Sequence, residues 1–279
     1  MTPIVTLLHP GSMGAAVGAQ LRSRGIDVLW CPEGRSATSR RRADEAGLEG
    51  VPLDEAVGRA DVVLSLCAPV GAEDVARRVA AVGLGEGTLF VEANAISPAR
   101  AVSIAGFLPP GRVVDGAVVG SPPVDGKSPL LYLSGPEEAA ERVAALFAGT
   151  SVDARVIGQD TGQASALKLI YSSYQKTSRV LAALAHGAAD AHGVSGELLE
   201  IAGRRSSSHL VEPDYIPKTV ARAWRWAPEL ADAAELLDAA GLPAGTIRAA
   251  ADTLEHWASE RDSALDVTEA LRVLRVTGR

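Results

Sequence analysis

The chain is short of cysteine, lysine and aromatic side chains: two Cys, four Lys, three Phe and 4% aromatics in 279 residues. Cys31 and Cys67 each close an apolar run, and no Cys/His spacing suits zinc. A disulfide framework and a metal centre are therefore not expected, and both thiols read as small buried hydrophobes of a reducing compartment. Few aromatics with abundant alanine disfavour a sheet sandwich and favour close-packed helices. No apolar run nears the roughly 20 residues of a membrane span, and Met1-Thr2-Pro3-Ile4-Val5 does not begin a secretion signal. A net charge of −7 gives no field that draws the protein to nucleic acid or an anionic membrane. These absences predict a soluble, cytoplasmic protein with no nucleic-acid, membrane or metal partner.

What is present is alternation. Continuous apolar runs at Ile4–His9, Asp27–Cys31, Ala60–Leu66, Thr88–Ala93, Arg112–Val119, Leu130–Ser134 and Ala154–Ile157 read as strands. Helical runs fall between them, at Ser12–Arg24, Arg40–Ala46, Gly71–Val82, Pro98–Phe107 and Pro136–Ala148. Strands apolar on both faces, alternating with helices, predict an α/β domain: a doubly wound, mainly parallel sheet. After Gly158 the pattern holds helices and breakers but no strand, beginning with Thr161–His192 and continuing at Gly196–Ser206, Tyr215–Ala239, Ala244–Ser259 and Ser263–Arg275. Asp160 and Gln163 stand at capping-box spacing at the start of the first. The expected organisation is a Rossmann domain over residues 1–158 and an all-helical domain over 159–279.

His9-Pro10-Gly11-Ser12-Met13-Gly14 follows the first strand and opens the first helix. A dinucleotide fingerprint needs a tight turn, bare backbone against the pyrophosphate, and close helix–strand packing. Gly11 and Gly14 fill the second and third places, and His9 occupies the first. The helix N-terminus offers free N–H groups and a positive dipole end to phosphate. After the second strand, Glu33 would suit a ribose hydroxyl, whereas Arg35, Ser36 and Arg40 would suit the 2′-phosphate of NADP. NADP(H) is preferred and NAD(H) remains open. Cys67, Ala68, Pro69 and Asn94, at the ends of later strands, complete the predicted cofactor contacts.

Lys168 is the residue on which function turns. It lies in Gly162-Gln163-Ala164-Ser165-Ala166-Leu167-Lys168, on the buried-leaning face of a long helix, where a lone ammonium is costly without a task or a partner. Its alternative role is a structural ion pair. Tyr171 is one turn on and Ser172 follows.

Gly11-Ser12-Met13-Gly14, Glu92-Ala93-Asn94-Ala95-Ile96-Ser97-Pro98, Val114-Asp115-Gly116-Ala117 and Gly162 to Lys168 occur in the order of the β-hydroxyacid dehydrogenase family, which the chain resembles. That family includes 3-hydroxyisobutyrate and 6-phosphogluconate dehydrogenases. Gly34-Arg35-Ser36, Gly120-Ser121-Pro122-Pro123 and Trp224-Arg225-Trp226 with Glu229 resemble a branch whose C-terminal domain has no assigned function. The resemblance implies a homodimer through the helical domain, an active site in the interdomain cleft, and a match of Lys168 to the family's catalytic lysine. Two departures stand out. Val119-Gly120-Ser121 replaces the Ser-Gly-Gly that holds a substrate carboxylate, and Tyr171 replaces the usual Asn or His.

The expected reaction is hydride transfer between nicotinamide and a small carbonyl or β-hydroxy compound. Lys168 and Tyr171 are the expected catalytic residues, with Asn94, Gly120, Ser121 and Ser172 near the substrate. Arg222 and Arg225 are further candidates to hold an anionic substrate group, and His209, after Ser206-Ser207-Ser208, is a lesser one. An imine reductase on the same scaffold is the alternative, against which the lysine counts. A dinucleotide-binding sensor without turnover is the other, favoured by His9 in the fingerprint.

Overall fold

A computed structural model describes residues 2–204, 213–261 and 263–274, and the chain divides into two compact units, Met1–Ser173 and Tyr174–Arg279. The first carries β1 (Ile4–Leu7), β2 (Asp27–Trp30), β3 (Glu49–Gly50), β4 (Val62–Ser65), β5 (Leu89–Glu92), β6 (Val113–Val119), β7 (Leu130–Ser134) and β8 (Asp153–Gly158). They form one sheet in the order β3-β2-β1-β4-β5-β6-β7-β8. Every neighbouring pair is parallel except β6 with β7. The winding reverses between β1 and β4, the place where doubly wound sheets bind ligands.

The two faces of the sheet follow from the side-chain period of two. Leu7, Val28, Leu64 and Val91 point to one face, where α1 (Ser12–Ser23), α2 (Ala37–Glu45) and α6 (Glu137–Leu146) add Val17, Leu21, Ala43 and Val143. Leu29, Val63 and Phe90 point to the other, where α3 (Leu53–Arg59), α4 (Ala72–Val82) and α5 (Pro98–Ala105) add Val57, Val79 and Ile104. Burial on both sides explains why these strands are apolar throughout instead of alternating. Two elements escape the sequence pattern. β3 is a two-residue exposed edge with no apolar signature, and α3 is only seven residues long.

Helix α7 (Gln163–Ala191) is 29 residues long and runs across the boundary of the two units. The second unit continues with α8 (Ser195–Gly203), α9 (Tyr215–Val220), α10 (Ala223–Ala239), α11 (Gly245–Glu255) and α12 (Val267–Val273), with no strand among its described residues. Its core gathers Val220, Ala223, Ala227, Leu254, Trp257 and Ala270. The buried Trp257 donates its indole N–H to Ala270 O at 3.0 Å, so this tryptophan is packing. Asp266 and Glu269 form a full capping box at α12. The single helix expected over Tyr215–Ala239 is two, interrupted at Ala221 and Arg222, although the only proline inside α10, Pro228, lies beyond the break.

Candidate active site

The turn after β1 closes by a bond from Gly11 N–H to His9 O at 2.9 Å, around Pro10. Such an inverse γ-turn suits the fixed φ of proline and needs no left-handed residue at its start. His9 can therefore stand where the fingerprint has glycine. Gly14 cannot be replaced, because a Cβ there would lie 2.2 Å from His9 O. At Gly18 a Cβ would press on Leu48 at 3.0 Å, which matches its place in helix–sheet packing. Gly11 differs: a Cβ there would meet no protein atom within 4 Å. The protein itself does not demand glycine at position 11, but a ligand backbone lying against it would.

Gly11 is the N-cap of α1 and no side chain caps that helix. The N–H groups of the first turn are thus left for an anion, in a cavity of about 290 Å³ lined by His9 to Gly14, Arg35, Ser39, Leu66, Cys67 and Ala68. Arg35 Nε is buried without an acceptor, and so is His9 Nδ1 without a partner. Burial, then the charges of Arg35 and Arg78, push the His9 pKa down to about 4, so this imidazole is neutral at physiological pH. Burial and the like charge of Arg78 also depress the Arg35 guanidinium from its usual value. Two cations and an unfilled donor beside a helix N-terminus fit a phosphate-bearing dinucleotide. Ser36 caps α2, accepting from Ser39 N–H at 3.2 Å, and Arg40 donates to Pro32 O at 2.7 Å. Ser39, Leu66 and Arg78 join this end of the site without having been anticipated.

Farther along the sheet edge most of the polar groups are paired. Asn94 is buried between the ends of β4 and β5, and both ends of its amide are used. Oδ1 accepts from Cys67 N–H at 2.5 Å and Nδ2 donates to Ser65 Oγ at 2.9 Å. Its N–H donates to Glu92 Oε1 at 3.1 Å, while Glu92 Oε2 has no partner. Burial is the main cause that raises the Glu92 pKa to about 7. Arg100 donates to Pro69 O at 2.9 Å and pairs with Glu73, which staples the turn after Cys67 to α4 and α5.

Asp115 on β6 is fully buried and organises the start of α7. Its Oδ2 accepts from Gly162 N–H at 3.0 Å, Ser165 N–H at 2.9 Å and Ser134 Oγ at 3.2 Å, and its Oδ1 accepts from Ser165 Oγ at 2.5 Å. Ser134 Oγ in turn accepts from Ala164 N–H at 3.1 Å. The helix is therefore capped by an acid 47 residues upstream. The local box gives only one arm, from Asp160 N–H to Gln163 Oε1 at 3.3 Å. A carboxylate against a helix N-terminus is favourable twice over, through orphan N–H groups and through the dipole.

One turn into that helix, half-buried Lys168 donates from Nζ to Val118 O of β6 at 2.7 Å. Gly120 follows with φ 127°, a conformation for glycine, and a Cβ there would meet Pro129 Cα at 3.1 Å. Ser121 is exposed in the loop beyond, Tyr171 is partly exposed and Ser172 is buried. Lys168, Val118, Gly120 and Ser121 thus gather at the end of β6. The glycine loop lies at the end of β1, three strands away or roughly 14 Å at ~4.8 Å per strand. Of the more distant candidates, Arg222 is described below, the side chain of Arg225 is not among those described, and His209 with Ser206–Ser208 lies outside the described residues.

A glycine loop at the winding reversal, with an unfilled cationic donor beside it, defines a dinucleotide-binding Rossmann domain. Residues 3–97 match the family model described as the NADPH-binding domain of acetohydroxy acid isomeroreductase. Residues 189–257 match a domain of unknown function, DUF1932. An uncharacterized 28.5 kDa protein from the 7S RNA 5′ region of Methanothermus fervidus is 28% identical over 177 residues, 63% of this chain and 67% of that one. Among solved structures, a conserved protein of unknown function reported as similar to 3-hydroxyacid dehydrogenases is 25% identical. That match covers 93% of this chain and 100% of the other at a TM-score of 0.61. An imine reductase from Myxococcus stipitatus in complex with NADP+ shares the fold at 18% identity and TM-score 0.74, covering 98% of this chain and 100% of its own. The N-terminal unit thus matches an NADPH-binding domain, and the chain shares its fold with an NADP+-bound imine reductase and with a protein reported as similar to 3-hydroxyacid dehydrogenases.

Proposed function

We propose that this protein transfers a hydride between NADPH and a small carbonyl or β-hydroxy compound, with Lys168 at the substrate oxygen. The observation that carries the reading is the 2.7 Å bond from Lys168 Nζ to Val118 O, on a helix start that Asp115 anchors. The carbonyl takes one of three ammonium donors and sets the direction of the group. An ammonium so oriented stabilises negative charge as it grows on oxygen and hands over a proton when a carbonyl is reduced. Bound nicotinamide would supply or receive the hydride. Tyr171, one turn along, is a second donor to the same oxygen, and Gly120, Ser121 and Ser172 bound the substrate.

His9, Gly11, Ser12, Met13 and Gly14 hold the pyrophosphate in this reading. Arg35 binds the 2′-phosphate with Ser36 and Arg40 at its margin, and Cys67, Ala68 and Pro69 line the nicotinamide side. Asn94 acts by fixing the Cys67 turn, since its amide is already committed to Cys67 and Ser65. The assembly is a homodimer through the helical unit, where Val194, Leu199 and Ile201 are exposed beside an apolar groove.

Steady-state NADPH oxidation with a panel of aldehydes, keto acids and cyclic imines tests the reaction. Turnover of carbonyl compounds is expected. Turnover of imines alone would reassign the bond reduced, and tight NADPH binding with no turnover would make the protein a sensor.

A further inference from the structure

The helical unit has a concavity that the proposed reaction does not use. It measures about 620 Å³, within the range of small-molecule sites, and Lys218, Arg222, Trp224, Ala264 and Leu265 line it. Lys218, in the last turn of α9, and Arg222, two residues past its end, line the same concavity, with Arg222 Nη1 donating to Lys218 O at 2.8 Å. The Arg261 guanidinium lies over the ring of Trp224, which lines the cavity, at 4.0 Å. This stacking holds a third cation beside the same wall. No acid among the described residues pairs with Lys218, Arg222 or Arg261, although the whole chain carries a charge of −7. Like charges gathered on a low-dielectric wall repel one another, and an anion between them relieves that repulsion. The remaining wall is apolar at Pro217, Ala221, Ala264 and Leu265, and its one polar residue, Ser263, already donates its hydroxyl to Glu260 Oε2 at 2.7 Å.

We propose that this concavity binds a small organic anion, a carboxylate or phosphate monoester with an apolar body, carried wholly by residues of the helical unit. Arg222 supplies the planar fork that meets two oxygens at once, and Lys218 adds a point charge. Trp224 and Leu265 cover the apolar part. Its lining residues all belong to the helical unit, whereas Arg35 and Arg78 belong to the other.

Isothermal titration of the full chain with phenyl phosphate and, separately, with 4-phenylbutyrate tests it, with and without saturating NADPH. Saturable binding of at least one probe is expected with NADPH present, and the tighter probe tells which head group the site takes. Arg222→Gln should weaken it by about 10-fold or more and Lys218→Gln by several-fold, with affinity falling as salt rises. Arg35→Ala should leave it unchanged. Should Arg222→Gln fail to fold, exposed Lys218 still decides the matter. No saturable binding of either probe overturns the proposal. So does affinity that survives loss of Lys218 and Arg222 together, or affinity that disappears with Arg35.

Discussion

The two ends of the sheet edge handle buried polar groups in opposite ways. At the end of β1, His9 Nδ1 and Arg35 Nε are buried with no partner. At the end of β6, Asp115 accepts four hydrogen bonds from Gly162, Ser165 and Ser134. A buried donor left unmade costs about 1–3 kcal/mol, and a bond to a charged group contributes about the same in the other direction. The β1 end thus holds strain that a bound anion removes, whereas the β6 end is complete before any ligand arrives. One end is built to receive, and the other, in the proposed reaction, would hold Lys168 still. Each of the following outcomes would break or sharpen that contrast.

The largest effect belongs to Lys168. Lys168→Ala should reduce kcat by about 10²–10⁴-fold and leave the NADPH dissociation constant nearly unchanged. Stopped-flow hydride transfer and fluorescence titration of NADPH separate the two quantities. An unaltered rate would reduce the lysine to a structural tie between α7 and β6. Next comes Asp115, whose removal leaves the helix start without its acceptor. Asp115→Ala should lower unfolding stability by about 3 kcal/mol in urea, since buried N–H groups lose a charged partner. Asp115→Asn keeps an acceptor and should cost less. If Asp115→Ala unfolds with the wild-type midpoint, the β6 end is not the rigid half.

Much of this was legible in the sequence, because both faces of the sheet are covered. The central strands β4 and β5 are apolar up to their last residue, and the turns between them are punctuated by glycine and proline. The same feature held a signal that pattern reading passed over. Glu92 and Asp115 are lone acids inside otherwise apolar runs, on paired strands and in register with each other. A carboxylate in such a run is costly unless it has a task. The partners of Asp115 stayed hidden because they lie 19 to 50 residues away, beyond any local window. Arg78 was missed for the same reason: only the fold brings α4 beside His9. The break between α9 and α10 leaves no local mark, since Ala221 and Arg222 are ordinary helix formers.

A smaller effect tests the receiving end. Arg35→Ala should weaken NADPH by about 10–100-fold, the equivalent of one or two charged hydrogen bonds, and change NADH by much less. Equal weakening of both cofactors would place the 2′-phosphate elsewhere. Arg78→Ala sharpens the point. If Arg78 serves only to crowd Arg35, its removal relieves repulsion and stabilises the free protein. If it also meets phosphate, NADPH affinity falls with it.

The smallest effect concerns how stability responds to pH, because two groups oppose each other. The Glu92 pKa rises from 4.5 to about 7 on folding, so between those values the folded chain holds a proton the unfolded chain has released. Stability from this group is therefore fully present below pH 4.5 and is lost as pH rises through 7, by about 1 kcal/mol per pH unit. The His9 pKa falls from 6.5 to about 4, so here the unfolded chain takes up the proton first. Stability from His9 is lost as pH falls from 6.5 toward 4, on a shallower slope because the half-buried ring is partly screened by water. Over pH 5–6 the two slopes offset, and the wild-type curve should be flattest there. Glu92→Gln should leave a curve that rises with pH across that window, and His9→Asn one that falls. Urea midpoints at half-unit pH steps would show this. If both variants tracked the wild type, neither buried group would be titrating as its surroundings require, and the contrast between an unfilled and a filled end would lose its electrostatic basis.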